Sequence, residues 1–116
     1  HEERLKVSYF IDPKSNNYLV PPMMIQTLME NGIKHGISKF AKGGNLSLST
    51  TIENNNLVIK IINTGTLSNQ FDENGYGLLN TRQRLSLIYG KESFFTIYNL
   101  NETQVCTEVI IPKILK

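Results

Sequence analysis

Four groups of residues in this chain have types and spacings that could do chemistry. The first is Glu30-Asn31-Gly32-Ile33-Lys34-His35-Gly36, where an apolar segment closes on a carboxylate, an amide, an ammonium and an imidazole. In a helix Asn31, Lys34 and His35 share one face, because positions i, i+3 and i+4 lie together. Such a face suits a metal-bound polyphosphate better than a core. The second is Asn63-Thr64-Gly65, where an apolar run stops on an amide able to bond a ligand amine. An Asn two residues before a Gly also suits a plain turn. The third is Gly75-Tyr76-Gly77-Leu78, followed by Asn80, Arg82 and Arg84. Two glycines ahead of a helix permit close backbone approach, and the helix start offers free N–H groups to an anion. The same residues fit a flexible loop with a glycine-assisted helix start, and the arginines fit a solvated helix face. The fourth is Thr103, ahead of a final apolar run. Glu30 is open to three roles, as a base, as the partner of Lys34 at i+4, or as a plain surface charge.

The surrounding pattern predicts the elements that must hold these groups. Leu5, Val7, Tyr9 and Ile11 alternate with other residues and predict a half-buried strand. Residues 12–17 are turn-like. Val20-Pro21-Pro22 predicts a helix start, with the prolines in its first turn. That helix carries Met23, Met24, Leu28 and Met29 on a broad apolar face and is capped by Gly36. Gly32 weakens its interior by roughly 1 kcal/mol relative to Ala, unless something approaches closely there. After a polar break at 42–45, Leu46–Ile52 and Leu57–Ile62 predict two strands around an Asn-rich hairpin turn at 53–56. Residues 66–74 are polar apart from Leu67 and Phe71 and read as a mobile loop, which the resemblance named below makes a lid. A second helix is predicted over Leu78–Tyr89, capped by Gly90, and two last strands around Phe94–Tyr98 and Val105–Ile111. Strand pairs joined by short turns argue for an α+β two-layer sandwich, a mixed and mostly antiparallel sheet with helices on one face. No repeat or linker divides residues 1–116, which read as a single domain.

Composition excludes several functions. Hydrophobic residues make up 40% and charged residues 19% of the chain, an ordinary globular balance. A net charge of +2 with no Trp gives no basis for nucleic-acid binding. The single cysteine, Cys106, rules out an internal disulfide framework and reads as a small core residue in a reducing compartment. No apolar run approaches the ~20 residues that span a bilayer.

The order of the four groups resembles the ATP-binding domain of the GHKL superfamily, and most closely that of LytS-type sensor histidine kinases. The resemblance is carried by Val20-Pro21-Pro22-Met23-Met24-Ile25-Gln26, Glu30–Gly36, Gly75–Leu85 and Ile88-Tyr89-Gly90, and covers residues 5 to 112 or so. It implies a Bergerat-type fold that binds ATP and Mg2+. Asn31 would be the magnesium ligand, and Lys34 and His35 would face phosphate or ribose. Asn63 would take the place of the family's adenine-reading Asp, and Gly65 would let adenine pack on backbone. Gly75, Gly77 and Leu78 would cradle phosphate, and Thr103 would sit behind adenine. Glu30 would be the catalytic residue that polarises an acceptor imidazole.

By the same resemblance the enzyme is a protein histidine kinase. The acceptor histidine would lie on an upstream dimerisation segment, and the phosphoryl group would pass on to a response regulator. The parent would be a membrane-bound homodimer with this domain in the cytoplasm, and the chain alone would not autophosphorylate. Two departures stand out: Asn63 replaces a carboxylate, and Asn101-Glu102-Thr103 replaces a Gly-Gly-Thr turn. They leave open a degenerate nucleotide-binding module that regulates a partner. An anti-sigma serine kinase is a third candidate, disfavoured by Val20-Pro21-Pro22 and Ile88-Tyr89-Gly90.

Overall fold

The computed structural model describes residues 5–35, 43–67 and 78–113, with only the backbone of His35. Two helices and five strands follow the order β1 (Leu5–Ile11), α1 (Met24–His35), β2 (Gly44–Glu53), β3 (Asn56–Thr64), α2 (Leu78–Tyr89), β4 (Phe94–Asn99) and β5 (Gln104–Ile111). They form one sheet in the order β1-β2-β3-β5-β4. β1 pairs with β2 in parallel, as a strand–helix–strand crossover requires, and every other pair is antiparallel. The α+β architecture with a mixed, mostly antiparallel sheet is therefore as the sequence pattern implies.

Alternation decides which face of the sheet meets the helices. Leu46 and Leu48 of β2, Ile59 and Ile61 of β3, Val109 and Ile111 of β5 and Phe95 of β4 all point the same way. They pack on Met24 and Leu28 of α1 and on Leu78, Leu85 and Tyr89 of α2. Asn63 and Thr107 lie on this same core face, in register with Val105 and Ile61 respectively.

Local chemistry explains the connections. Asp12 caps a 3-10 turn over Pro13–Asn17 by accepting from the Lys14 N–H at 2.9 Å. Asn54 and Asn55 adopt φ of 54° and 69°, the left-handed geometry of a tight hairpin turn between β2 and β3. Gly90 ends α2 at φ 63°.

Three expectations need correction. The two prolines stand ahead of α1, which begins at Met24, rather than inside its first turn. β2 begins at Gly44, inside the expected polar break. Gly44 is fixed there by crowding, since a Cβ would lie 2.7 Å from both Cβ and Oγ1 of Thr64. Finally, β1 is not half buried: it is an edge strand, with Tyr9 62% and Phe10 63% exposed. The helix C-cap expected at Gly36 and most of the expected lid lie outside the described residues.

The opposite face carries a small polar cluster toward its β4 edge. Cys106 is buried and stands in register with Tyr98, whose hydroxyl donates to Glu108 Oε1 at 3.4 Å. The bond to Cys106, with burial, raises the Tyr98 phenol, and burial raises the Cys106 thiol and the Tyr89 phenol. Each group is held protonated in the folded chain, so the unfolded chain loses its protons first as pH rises. The stability they lend is complete below the ordinary values of 9.0 for Cys and 10.0 for Tyr and falls above them. Urea midpoints measured from neutral to strongly alkaline pH are expected to stay level and then fall. Cys106→Ala is expected to delay the onset of that fall, and an unchanged profile would refute the assignment.

Candidate nucleotide site

α1 and α2 run antiparallel across the sheet. Arg84 Nη1, midway along α2, donates to the Pro22 carbonyl before α1 at 3.3 Å, and the hydroxyl of Tyr89, the last residue of α2, donates to the Leu19 carbonyl at 3.3 Å. Between the helices lies a cleft of about 200 Å³ lined by Pro21, Met24, Thr27, Asn80, Thr81, Arg84 and Leu85. Thr27 thus comes level with Asn80 and Thr81. One turn further along α1, about 5.4 Å, is Asn31, which the antiparallel packing brings to the end of α2 where Leu78 starts the helix. A helix N-terminus presents free N–H groups and the positive end of the backbone dipole. Neither Asn31 nor Asn63 lines the cleft itself.

Asn31 is the unusual residue of this groove. Its Nδ2 is buried and has no hydrogen-bond partner. Native chains rarely leave such a group unpaired, because burial without a bond costs about 1–3 kcal/mol. No bond fixes which end of the amide faces inward, so Asn31 can present its oxygen to a cation or its N–H to an anion. Among the described residues no group of three or more His, Cys, Asp or Glu gathers. Asn31 with the phosphate oxygens of a nucleotide fits Mg2+, which keeps few protein ligands and relies on its substrate.

Below α1, Asn63 ends the buried part of β3 and is 4% exposed. Its Nδ2 donates to the Thr64 carbonyl at 2.9 Å. A carbonyl only accepts, so the amide's other end, Oδ1, is the acceptor and is turned toward α1. Gly65 follows at φ 152°, a region open almost only to glycine, and its N–H donates to the Thr103 carbonyl at 2.9 Å. The Thr64 side chain secures this strand end by accepting from the Asn45 N–H at 2.9 Å. Thr66 and Leu67 are pinned in turn, the Thr66 hydroxyl donating to the Glu102 carbonyl and the Leu67 N–H to Asn99 Oδ1.

The structure therefore sets Asn63 against α1 at Gly32, with Asn31 one residue earlier on that helix and Gly65 two residues beyond Asn63. Other expected residues sit differently. Glu30 is exposed, and its carboxylate accepts from Gln26 Nε2 at 3.3 Å. Lys34 is exposed near the end of α1. The side chain of His35 and all of Gly75 and Gly77 lie outside the described residues. The Leu78 side chain is 1% exposed and belongs to the core, so only its backbone can face a ligand. Thr103 is exposed, and its hydroxyl bonds Asn101 Oδ1 at 3.1 Å rather than turning toward Asn63. Arg82 Nη1 donates to the Phe95 carbonyl at 3.0 Å and its guanidinium lies 4.9 Å over the Phe95 ring, so it serves the α2–β4 contact.

Three threonines were missed by the sequence reading. Thr27 and Thr81 line the cleft, and Thr107 is 5% exposed on the core face beside Asn63. Only Thr27 left a usable signal, four residues before Asn31 on the same helix face.

No family model matches the chain. Sensor protein LytS of Staphylococcus epidermidis is 26% identical over 125 residues, covering 97% of this chain and 21% of LytS. Sensor histidine kinase YpdA of Escherichia coli is 32% identical over 99 residues, covering 77% of this chain and 17% of YpdA. The chain thus spans about a fifth of the length of these relatives. Among solved structures, the catalytic domain of histidine kinase ThkA superposes with a TM-score of 0.73 at 16% identity, covering 97% of this chain and 80% of that domain. ThkA has also been solved in complex with the response regulator protein TrrA. By sequence the chain is a relative of the LytS-type sensor histidine kinases over the segment it shares with them, and its fold is that of a histidine kinase catalytic domain.

Proposed function

We propose that this chain is the ATP–Mg2+-binding catalytic part of a two-component sensor histidine kinase. The observation that carries the proposal is the buried, unpartnered Asn31 amide, set one helix turn above the cleft and level with the start of α2. Asn63 Oδ1 accepts from the adenine amino group, and the buried backbone at Gly65 gives the base a flat floor. The first N–H groups of α2 and the Lys34 ammonium face phosphate, with Gly75 and Gly77 just ahead of α2 as its cradle. Asn31 holds Mg2+ through its amide oxygen, and the ion when bound neutralises charge on the phosphate oxygens. His35 completes that side of the site, and Thr103 supports it only through its carbonyl on Gly65.

Such a site works by positioning and charge neutralisation. The acceptor is a histidine on a separate upstream segment. Its ring nitrogen forms a bond to the γ-phosphorus as the bond to the ADP oxygen breaks, and the displaced imidazole proton goes to a base. Glu30 is exposed on the groove's helix, where an incoming acceptor segment can reach it. The phosphoryl group then passes to a response regulator. The relatives' names and the ThkA fold support this assignment. The upstream segment supplies dimerisation and, in the parent, membrane attachment, with this domain in the cytoplasm.

One observation favours a regulatory module instead: the Thr103 hydroxyl is bonded within its own turn, to Asn101. Calorimetric titration with a non-hydrolysable ATP analogue, with and without Mg2+, separates the two. Saturable binding that needs Mg2+ is expected. No binding at millimolar nucleotide would overturn the kinase assignment.

A further inference from the structure

β1 leaves one edge of the sheet open. Among the described residues it pairs only with β2, in unbroken register from Leu5 to Ile11. Native proteins blunt a free edge with proline, a bulge or several charges. β1 has no proline and no bulge, and Lys6 is its one charged residue. Its backbone groups alternate in direction. The Asp12 N–H turns inward, to the Thr50 carbonyl at 3.2 Å. By that alternation Leu5, Val7, Tyr9 and Ile11 direct their N–H and C=O groups to the free edge. The same four residues stand on the helix face of the sheet, in register with Gly44, Leu46, Leu48 and Thr50. Val7, Tyr9 and Ile11 are exposed there, and Phe10 is exposed on the other face.

We infer that this edge pairs with the same edge of a second copy of the chain, antiparallel about a two-fold axis at Ser8. That register sets Val7 opposite Tyr9 and Leu5 opposite Ile11 of the other copy, so all four outward-directed residues exchange N–H···O bonds. A shift of two residues either way leaves one of the four with no β1 residue opposite. The side chains agree with the same register. Val7 with Tyr9 and Leu5 with Ile11 make apolar cross-strand pairs on the helix face. On the other face Lys6 meets Phe10, whose ring attracts an ammonium, and not the Lys6 of the other copy. Ser8 is small and meets itself at the axis. A two-fold contact requires such self-complementarity. The pairing joins two sheets into one, with both helix layers on the same side. A strand pair of seven residues is small beside a stable dimer interface, which buries about 1,200–2,000 Å². Separate chains therefore associate weakly, and two copies tethered in a longer parent meet at a local concentration that populates the contact. The inference does not depend on the nucleotide site.

Sedimentation equilibrium of the chain, from about 10 μM to about 1 mM, is expected to show monomer and dimer in exchange. Tyr9→Lys is expected to raise the dissociation constant about tenfold, because both Val7–Tyr9 pairs are lost together. Its thermal unfolding is expected to be unchanged, since Tyr9 is exposed. Ser8→Cys tests the register. At the axis the two Cα atoms of a non-hydrogen-bonded pair lie about 4.5 Å apart, within disulfide reach. The two copies are therefore expected to cross-link under mild oxidation, and the buried Cys106 adds no link. Lys6→Cys is expected to cross-link about tenfold more slowly or less, because its counterpart stands four residues along the other strand, about 13 Å away. A chain that stays monomeric to the top of the concentration range would overturn the inference. So would a dimer that Tyr9→Lys leaves intact, or cross-linking of Lys6→Cys as fast as that of Ser8→Cys.

Discussion

Asn31→Ala is expected to weaken Mg2+-dependent nucleotide binding roughly tenfold to a hundredfold while making the domain more stable. The two effects have separate causes. In the folded chain the Asn31 Nδ2 is buried with no partner, and removing such a group recovers about 1–3 kcal/mol of unmet hydrogen bonding. Ala also exceeds Asn in helix propensity, by roughly half a kcal/mol. Against these stands the small loss of side-chain packing, since Asn31 is only half buried. Binding moves the other way. A hydrogen bond or ligand contact to a charged group is worth about 1.5–3 kcal/mol, a loss of roughly tenfold to a hundredfold in affinity. Urea denaturation and calorimetric titration of the same preparation check both limbs. A variant that is destabilised and still binds would show that Asn31 is a packing residue. A variant that is stabilised and binds equally well would show that the ligand contacts lie elsewhere in the groove.

That opposition between stability and binding marks how far the sequence could be read. The order of elements, the bounds of α2 and the sheet type followed from alternation, glycine caps and hairpin asparagines. These are local signals, each set within one or two turns of chain. The exposure of β1 is not local. Leu5, Val7, Tyr9 and Ile11 alternate as a half-buried strand does, and only the strand order places them at the edge of the sheet, where all but Leu5 are exposed. In the site, Asn31 and Asn63 stood out by residue type, but how α1 lies over Asn63 depends on how closely that helix approaches β3. Gly32 controls that approach, and in the sequence it reads only as a weak point in a helix. Thr103 shows the converse. The family resemblance implied a role behind the base, but register puts Val105 opposite Asn63 and leaves the Thr103 hydroxyl to Asn101. Register across two strands far apart in the chain has no signature in either strand alone.

Leu78→Ala is expected to lower stability and nucleotide affinity together, and its comparison with Leu85→Ala identifies the cause. Both leucines are 1% exposed and belong to the same core cluster under α2. They lie seven residues apart, on one face of the helix. Truncating either removes a buried isobutyl group and leaves a cavity, at a cost of about 2–5 kcal/mol. The stability losses should therefore be similar. Their effects on binding should not be. Leu78 is the first residue of α2 and ties the helix start to the sheet, so its loss loosens the backbone N–H groups assigned to phosphate. Leu85 anchors the middle of the helix, two turns from the groove's upper end. With Leu78→Ala, affinity for the ATP analogue is expected to fall about tenfold, because fixed N–H donors contribute to binding only while they are held in place. With Leu85→Ala, measured where both variants remain folded, affinity should stay within about twofold of the unaltered chain, as expected for sites that do not share partners. Equal losses of affinity would mean that binding follows global stability. Intact affinity in Leu78→Ala would remove the start of α2 from the site and leave Asn31 and Asn63 to hold the nucleotide.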